Sequence, residues 1–555
     1  MTQPWYTQAE YAGGIPVFLL EIIWGGITYR MANFPVCLSS DDGDLDFTGG
    51  LDNFQFKESS DILSPDIEAN IVSCSVHFEQ DVNLLKEWAA GNVLEGREAS
   101  FSYVVWKEGQ IQQSYENRIV LMRGKIQEPQ FGDPLESDQF AAFSIEAEAM
   151  DESRLLLDNR LFIDDRFSSR DKDTADGKAW PVIIGLPGYL VDPDGTIKQI
   201  YATPAYCIKS YSGGSGQFMI AAHSVAATSV TIQDDQFITA TKTVSRALDS
   251  KGNEYSYISI AGADNIGIPG KLSNNDTASR SWWITWSPTY GGGIANPYGD
   301  GILTGGGDIA RWAINKTGQR VDDGAWANIT PLLNRYSFSG YINDPDVSAW
   351  DWLAGNILPY LPISVRSGPA GLKPVLNQLS SMVHLEALQD ISIGDNEEFQ
   401  QISAIDTLRS TADLVNRYTL NYGKVGYSQD YSSQIRCTNF AEENIDIPSD
   451  YSALSINRYG IKEAAENTDY IYERESAEII ALQKVRSNSL PIRVFDISGP
   501  FHYGYLQIGD ILAVSSDRLF LTGHKMMIVE KEWLGSEWRF RLAFEDNPIQ
   551  NQRSV

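Results

Sequence analysis

Histidine and cysteine, on which most metal and nucleophile chemistry depends, are scarce: five and four residues in a chain of 555. Cys37, Cys74, Cys207 and Cys437 have no short spacing between any two, which excludes a disulfide framework and a zinc or iron-sulfur ligand set and reads as four reduced, mostly buried thiols. None of His77, His223, His384, His502 and His524 has another histidine at metal-ligand spacing, and no H-E-x-x-H occurs. Gly213-Gly214-Ser215-Gly216 ends in Gln217, so it is no nucleophile elbow. The triplets Gly291-Gly292-Gly293 and Gly305-Gly306-Gly307 continue into neither a dinucleotide fingerprint nor a P-loop and read as flexible linkers. No catalytic residue, cofactor or metal is therefore expected, and the chain reads as no enzyme. A glycosidase pair among the many carboxylates would leave no mark in sequence spacing.

Basic residues are also few. Forty-three Lys and Arg against 73 Asp and Glu give a net charge of -30, which excludes a tight grip on a phosphate backbone or an anionic membrane surface. Long apolar runs are missing too: residues 15–24 are too short to span a bilayer and carry Glu21, and no basic residue precedes Arg30 to make a signal peptide. A protein made in a cytoplasm, with no stable membrane insertion, is expected.

Strand signal is abundant. At 43% hydrophobic and 11% aromatic the composition is globular, and the length implies three to five domains. Residues 508–546 read as three consecutive strands; in the last, Trp538, Phe540, Leu542 and Phe544 alternate with Arg539, Arg541 and Glu545, because successive side chains of a strand point to opposite faces. The same plan occupies residues 99–149, where Phe143, Ile145, Ala147 and Ala149 alternate with Ser144, Glu146 and Glu148. Two β modules thus bracket a long middle. The division expected is a first β module over 1–150, a connector over 151–185, a small β-rich domain over 186–300, an α+β domain over 301–380 and a second β module with one helix over 381–555. The helix is placed at about 470–485, with Ala477, Ile480 and Ala481 on one face.

Two stretches invite a ligand reading. Asp41, Asp42, Asp44 and Asp46 cluster as calcium ligands do, but Phe47 stands where an EF-hand needs Gly, so a solvated turn is the better reading. Trp282, Trp283 and Trp286 could face a glycan, although such strands more often fill a core.

In chain order, Ala310-Arg311-Trp312-Ala313-Ile314, Leu333-Asn334-Arg335-Tyr336, Tyr341-Ile342-Asn343-Asp344, Gly368-Pro369-Ala370-Gly371 and Arg458-Tyr459-Gly460 lead to Gly509-Asp510-Ile511. In this order and architecture the sequence resembles the tail hub, or baseplate hub, proteins of tailed bacteriophages. The resemblance implies a mainly β fold with an α+β middle: two tail-tube-like antiparallel β-barrels plus inserted domains. It implies a homotrimer whose six barrels match a sixfold tail tube to a threefold tip, so the partners would be further copies, tail-tube proteins and tail fibre or tip proteins. DNA would only pass through, and a carboxylate-lined lumen would repel it. The place would be the virion tail tip. The polar face of the last strand, with Arg539, Arg541 and Glu545, then becomes a subunit or lumen contact. A tail-tip receptor that binds carbohydrate through residues 186–300, or a tail-associated peptidoglycan hydrolase, are the alternatives. Some hubs carry a fused lysozyme module or an iron-sulfur cluster, and neither pattern is present in this sequence.

Overall fold

A computed structural model describes residues 13–59, 71–77, 82–132, 139–147, 154–157, 161–191, 196–211, 216–234, 239–260, 282–286, 291–377, 379, 386–395 and 397–546. The first module is built on β1 (Ile15–Trp24), β2 (Ile27–Ala32), β3 (Leu51–Ser59), β4 (Ile71–His77), β5 (Glu98–Lys107), β6 (Ile119–Phe131) and β7 (Gln139–Glu146), with helix α1 (Val82–Ala89) between β4 and β5. The apolar run of β1 is explained by burial on both faces: Phe18, Leu20, Ile22 and Trp24 enter the main core, while Val17 and Leu19 pack with Val104 beneath a small hairpin. Gly25 and Gly26, at φ 58° and 82°, make the tight turn to β2 that two residues with positive φ allow.

Residues 203–285 form a closed barrel of β8 (Thr203–Ser210), β9 (Gly216–Ala221), β10 (Ser229–Asp234), β11 (Thr239–Leu248), β12 (Glu254–Ile260) and β13 (Trp282–Thr285), in the order β8-β9-β12-β11-β10-β13. An α+β unit follows, with α2 (Gly306–Lys316), α3 (Asp323–Leu333), α4 (Ala349–Asn356) and the hairpin β14 (Ile363–Gly368) and β15 (Gly371–Leu376). Asp322 caps α3 by accepting from the Ala325 amide at 2.9 Å, and Ser348 caps α4 through the Asp351 amide at 2.9 Å, each satisfying an orphan donor of the first turn. Trp326, fully buried, donates from Nε1 to the Leu372 carbonyl at 3.0 Å and ties α3 to the hairpin.

The glycine triplets are packing devices, which corrects their reading as flexible linkers. Gly305 caps α2 and Gly306 and Gly307 lie within it, where a β-carbon would come 2.8 Å from Leu361 and 2.9 Å from Thr330 respectively. Gly292 likewise lies flat against the Trp286 ring. Close approach of backbone, not mobility, selects glycine at these positions.

Next come β16 (Gln389–Ser392), β17 (Gln400–Gln401) and β18 (Asp406–Arg409), then the four-stranded sheet of β19 (Arg417–Lys424), β20 (Tyr431–Thr438), β21 (Asp446–Pro448) and β22 (Glu463–Asn467), and helix α5 (Arg474–Asn488). Ala477, Ile480 and Ala481 of α5 and Tyr418 and Leu420 of β19 share a core with Ile309, Trp326 and Leu353, so residues 417–485 pack with the α+β unit. The chain closes with β23 (Ile492–Pro500), β24 (Ile511–Ser516), β25 (Leu521–Trp533) and β26 (Glu537–Glu545).

Both ends of the chain meet in one 15-stranded sheet, whose path runs β2-β1-β5-β6-β7-β4-β3-β25-β26-β23-β17 with β18 also on β23, β24 on β25 and β16 on β24. The fold is mainly β with inserted units, as the sequence implies. Its closed barrel lies in the middle of the chain, and the two flanking modules join edge to edge. One core runs beneath the join: the Phe18 ring of β1 lies tilted 5.2 Å from that of Trp533, and Phe56 of β3 meets Trp538 edge-on at 5.8 Å. Trp538 is 1% exposed and donates from Nε1 to the Phe501 carbonyl at 2.9 Å. Trp538→Ala should therefore cost about 3–5 kcal/mol, read as a lower denaturant midpoint of the sheet's unfolding, and an unchanged midpoint would remove this residue from the shared core.

Candidate functional site

The two modules repeat one strand plan. In the first the chain runs β3, β4, α1, β5, β6, β7, and the sheet order is β5-β6-β7-β4-β3. In the second it runs β17 and β18, β23, a 3₁₀ turn at Phe501–Tyr505, β24, β25, β26, and the order is β24-β25-β26-β23 with β17 and β18 outermost. β6 and β25 both have 13 residues, and each breaks register midway, after Gln127 in β6 and after Ile528 in β25. Core residues correspond as well: Phe143 and Ile145 of β7 stand where Phe540 and Leu542 stand in β26, all inside the main core.

The modules join through a short antiparallel seam in which Ser59, Glu58 and Lys57 of β3 pair with Glu530, Lys531 and Glu532 of β25. Alternation sends the two faces of this seam into different chemistry. Outward, Lys57 meets Glu530 at 3.7 Å, Arg539 bonds Glu530 and reaches Glu532 at 2.8 Å, and Arg541 reaches Asp496 at 3.6 Å. Inward, Lys531 is 3% exposed, lies over the Trp538 ring at 4.5 Å, and donates to the Gly504 carbonyl beside the buried Glu58. Burial pushes the Lys531 ammonium down to about 8, with Glu58 and Asp510 opposing, and pushes the Asp510 carboxyl up to about 6. Lys373 of β15 donates to Gln507 Oε1 at 2.6 Å, bringing the α+β unit to the same cavity of about 280 Å³.

A second cavity, of about 250 Å³, opens on the outer face of β1, β2, β5 and β6 and gathers Arg30, Arg118, Arg123, Lys125 and Arg320 against Glu21 and Glu98. Glu21 holds Arg30 at 3.1 Å and Arg118 at 3.2 Å, and the Arg118 guanidinium lies 3.7 Å over the Tyr115 ring. In a chain of net charge -30 this is a local basic surface.

The residues singled out from the sequence lie elsewhere. Asp41, Asp42 and Asp44 are exposed on a hairpin loop and Asp46 is exposed on the strand that follows it, and among the described residues no group of three or more His, Cys, Asp or Glu side chains stands close enough to hold a metal. Trp282 and Trp286 fill the middle barrel's core, where they offer no face to a sugar, and Trp283 is half-buried against Gly426. Of the polar face on β26, Arg539 and Arg541 belong to the seam's outer ladder, but Glu545 does not share their setting, which corrects its placement with them. It is 2% exposed, and both carboxylate oxygens are buried without a hydrogen-bond partner among the described residues. Arg409 of β18 and Arg486 of α5 lie close to that end of the strand, which alternation alone does not reveal.

Burial pushes the Glu545 carboxyl up to about 8, with Arg409 and Arg486 only partly opposing. Between its ordinary value of 4.5 and about 8 the folded chain therefore holds a proton that the unfolded chain releases, so this group's contribution to stability falls as pH rises through that window. Glu545→Gln should raise the melting temperature relative to the parent at pH 8 and leave it nearly unchanged at pH 4.5. A difference that is the same at both pH values would refute the assignment.

No protein-family model and no curated protein matches this sequence. Among solved structures the chain is similar to the tail protein from Neisseria meningitidis MC58, at 9% identity and a TM-score of 0.35 over 96% of this chain and 98% of that one. It is similar to the 43 kDa tail protein of prophage MuSo2 from Shewanella oneidensis, at 8% identity and a TM-score of 0.37 over 96% and 99%. A chain in the virion of a native gene transfer agent particle is similar at 10% identity and a TM-score of 0.41, over 73% of this chain and 90% of that one.

Proposed function

We propose that this chain is a structural hub of a phage tail, forming a trimeric ring that joins a sixfold tail tube to a threefold tip and lines the passage of DNA. The observation that carries this reading is the repeated module. Two units of one strand plan stand side by side in one sheet, the outermost strand of the first paired to the second. A ring built of such units closes when the rotation between neighbours fits, and a chain that holds two of them lets three chains meet a sixfold partner. The net charge of -30 supports a wall past which DNA slides without sticking. Tail-tube proteins on one side and tail fibre or tip proteins on the other are the partners this implies, at the tail tip of the virion. The ring modules in this reading are residues 15–147 and residues 389–409 with 492–545, and the middle barrel and α+β unit stand as insertions.

Electron microscopy with mass determination tests the proposal. The expected result is a closed ring of three chains with six similar lobes. A chain that stays monomeric at every attainable concentration would overturn it, and a ring whose lumen is lined by basic side chains would overturn the account of DNA passage.

A further inference from the structure

The seam inside the chain leaves two edges over. β6 pairs with β5 only as far as Lys125, and its remaining half, to Phe131, has β7 on one side and no strand on the other among the described residues. At the far end of the sheet β17 and β18 pair, among the described residues, with β23 alone. These are the counterparts of the two strands that the seam joins. Lys125 and Met527 are each the last residue of their strand paired to the preceding hairpin partner and the first paired to the following one. On that alignment Gln127 and Gln130 take the places of Glu530 and Glu532. Ile71 and Val494 correspond in the same way, so Asp406, opposite Val494, takes the place of Lys57, opposite Ile71.

We infer that the segment around β18 of one copy adds as an antiparallel strand to the open half of β6 in the next copy, with Asp406 facing Gln130, so that the seam within the chain is repeated between chains. This rests on the ring reading and names its joint. Three further observations fit a second copy as the occupant. Both edges expose apolar side chains where an unpaired strand normally carries charge: Ile402, Ile405 and Leu408 are 46%, 45% and 37% exposed, and Trp88 and Phe131, with rings 5.8 Å apart, are 48% and 41% exposed. Charges at the joint are compatible. Inside the chain Lys57 faces Glu532 and meets Glu530, whereas between chains Asp406 would face Gln130 with Gln127 in the place of Glu530, so no carboxylate on β6 takes either of those two places opposite it. The two edges also differ, so the contact is head to tail and generates a ring instead of a closed pair. Pro129 at the β6 bulge offers no N–H, which makes this joint poorer in backbone bonds than the one inside the chain.

Q130C with D406C, in a chain whose exposed Cys37 is replaced by Ser, tests the joint by oxidation and denaturing electrophoresis. The expected result is a reducible ladder that ends at the ring's copy number, with neither single cysteine giving more than a dimer. A second variant, I405D with L408D, changes only exposed positions. It should raise the dissociation constant at least tenfold while leaving the melting temperature of the isolated chain unchanged. Rings seen by microscopy without the ladder, or rings unaffected by I405D with L408D, would overturn this joint and leave the hub reading standing. A chain that forms no ring under any condition would overturn both.

Discussion

Three residue pairs hold the two ends of this chain together. Lys57, Glu58 and Ser59 on β3 meet Glu532, Lys531 and Glu530 on β25, across more than 400 positions of sequence. So few backbone bonds, each with a net value of about 1 kcal/mol, do not by themselves offset the ordering of two modules. The aromatic layer beneath them does most of the work: Phe18, Phe56, Tyr103, Trp533 and Trp538 come from both modules and bury their rings against one another. Large aromatic side chains contribute burial and a directional contact together, which suits a join that must be both stable and fixed in register.

The same join carries a buried charge. Lys531 lies among aromatic rings with Glu58 as its neighbour, and its lowered pKa records what desolvation costs there. A hydrophobic residue would pack such a site at least as stably, so ion pairs of this kind are weak arguments for stability and better ones for register. A strand slipped by one residue would turn Lys531 outward and bring Glu530 into the aromatic layer. Gly504 adds a second constraint, because its backbone accepts from Lys531 and lies against both Tyr103 and Trp538, leaving no room for a side chain.

Much of the local structure was legible in the sequence. Strict alternation gave β7 and β26, the Gly pair gave the β1-β2 turn, and the spacing of Ala477, Ile480 and Ala481 gave α5, since each signal is contained within a few consecutive residues. The repeat of the closing strands near the other end was visible for the same reason. The seam was not, because a strand's lateral partner leaves no periodic mark in its own sequence. β11, Thr239–Leu248, has no clear apolar alternation in its Thr-, Lys-, Ser- and Arg-containing stretch, and it is the closed barrel that gives it partners on both sides. Glu545 obeyed alternation and was still misplaced. Alternation says which face a side chain joins, and only the tertiary fold says whether that face meets water.

The order of the chain has consequences for how such a join forms. β3 and β4 lie within the first 77 residues and find β7 by residue 146, so the first module closes through short loops. β18 must wait for β23, with a four-stranded sheet and two helices folded between them, and β3 must wait for β25, nearly at the end of the chain. Loop-closure entropy makes such distant pairings slow but adds little to the final free energy, because each doubling of loop length costs only about 0.6 kcal/mol. Once the intervening units are folded they hold the modules close, so pairing within the chain proceeds at an effective concentration far above that of separate molecules. The open half of β6 and the edge of β17 and β18 have no such tether. In the proposed ring the seam within the chain is therefore independent of protein concentration, and the joint between chains depends on it.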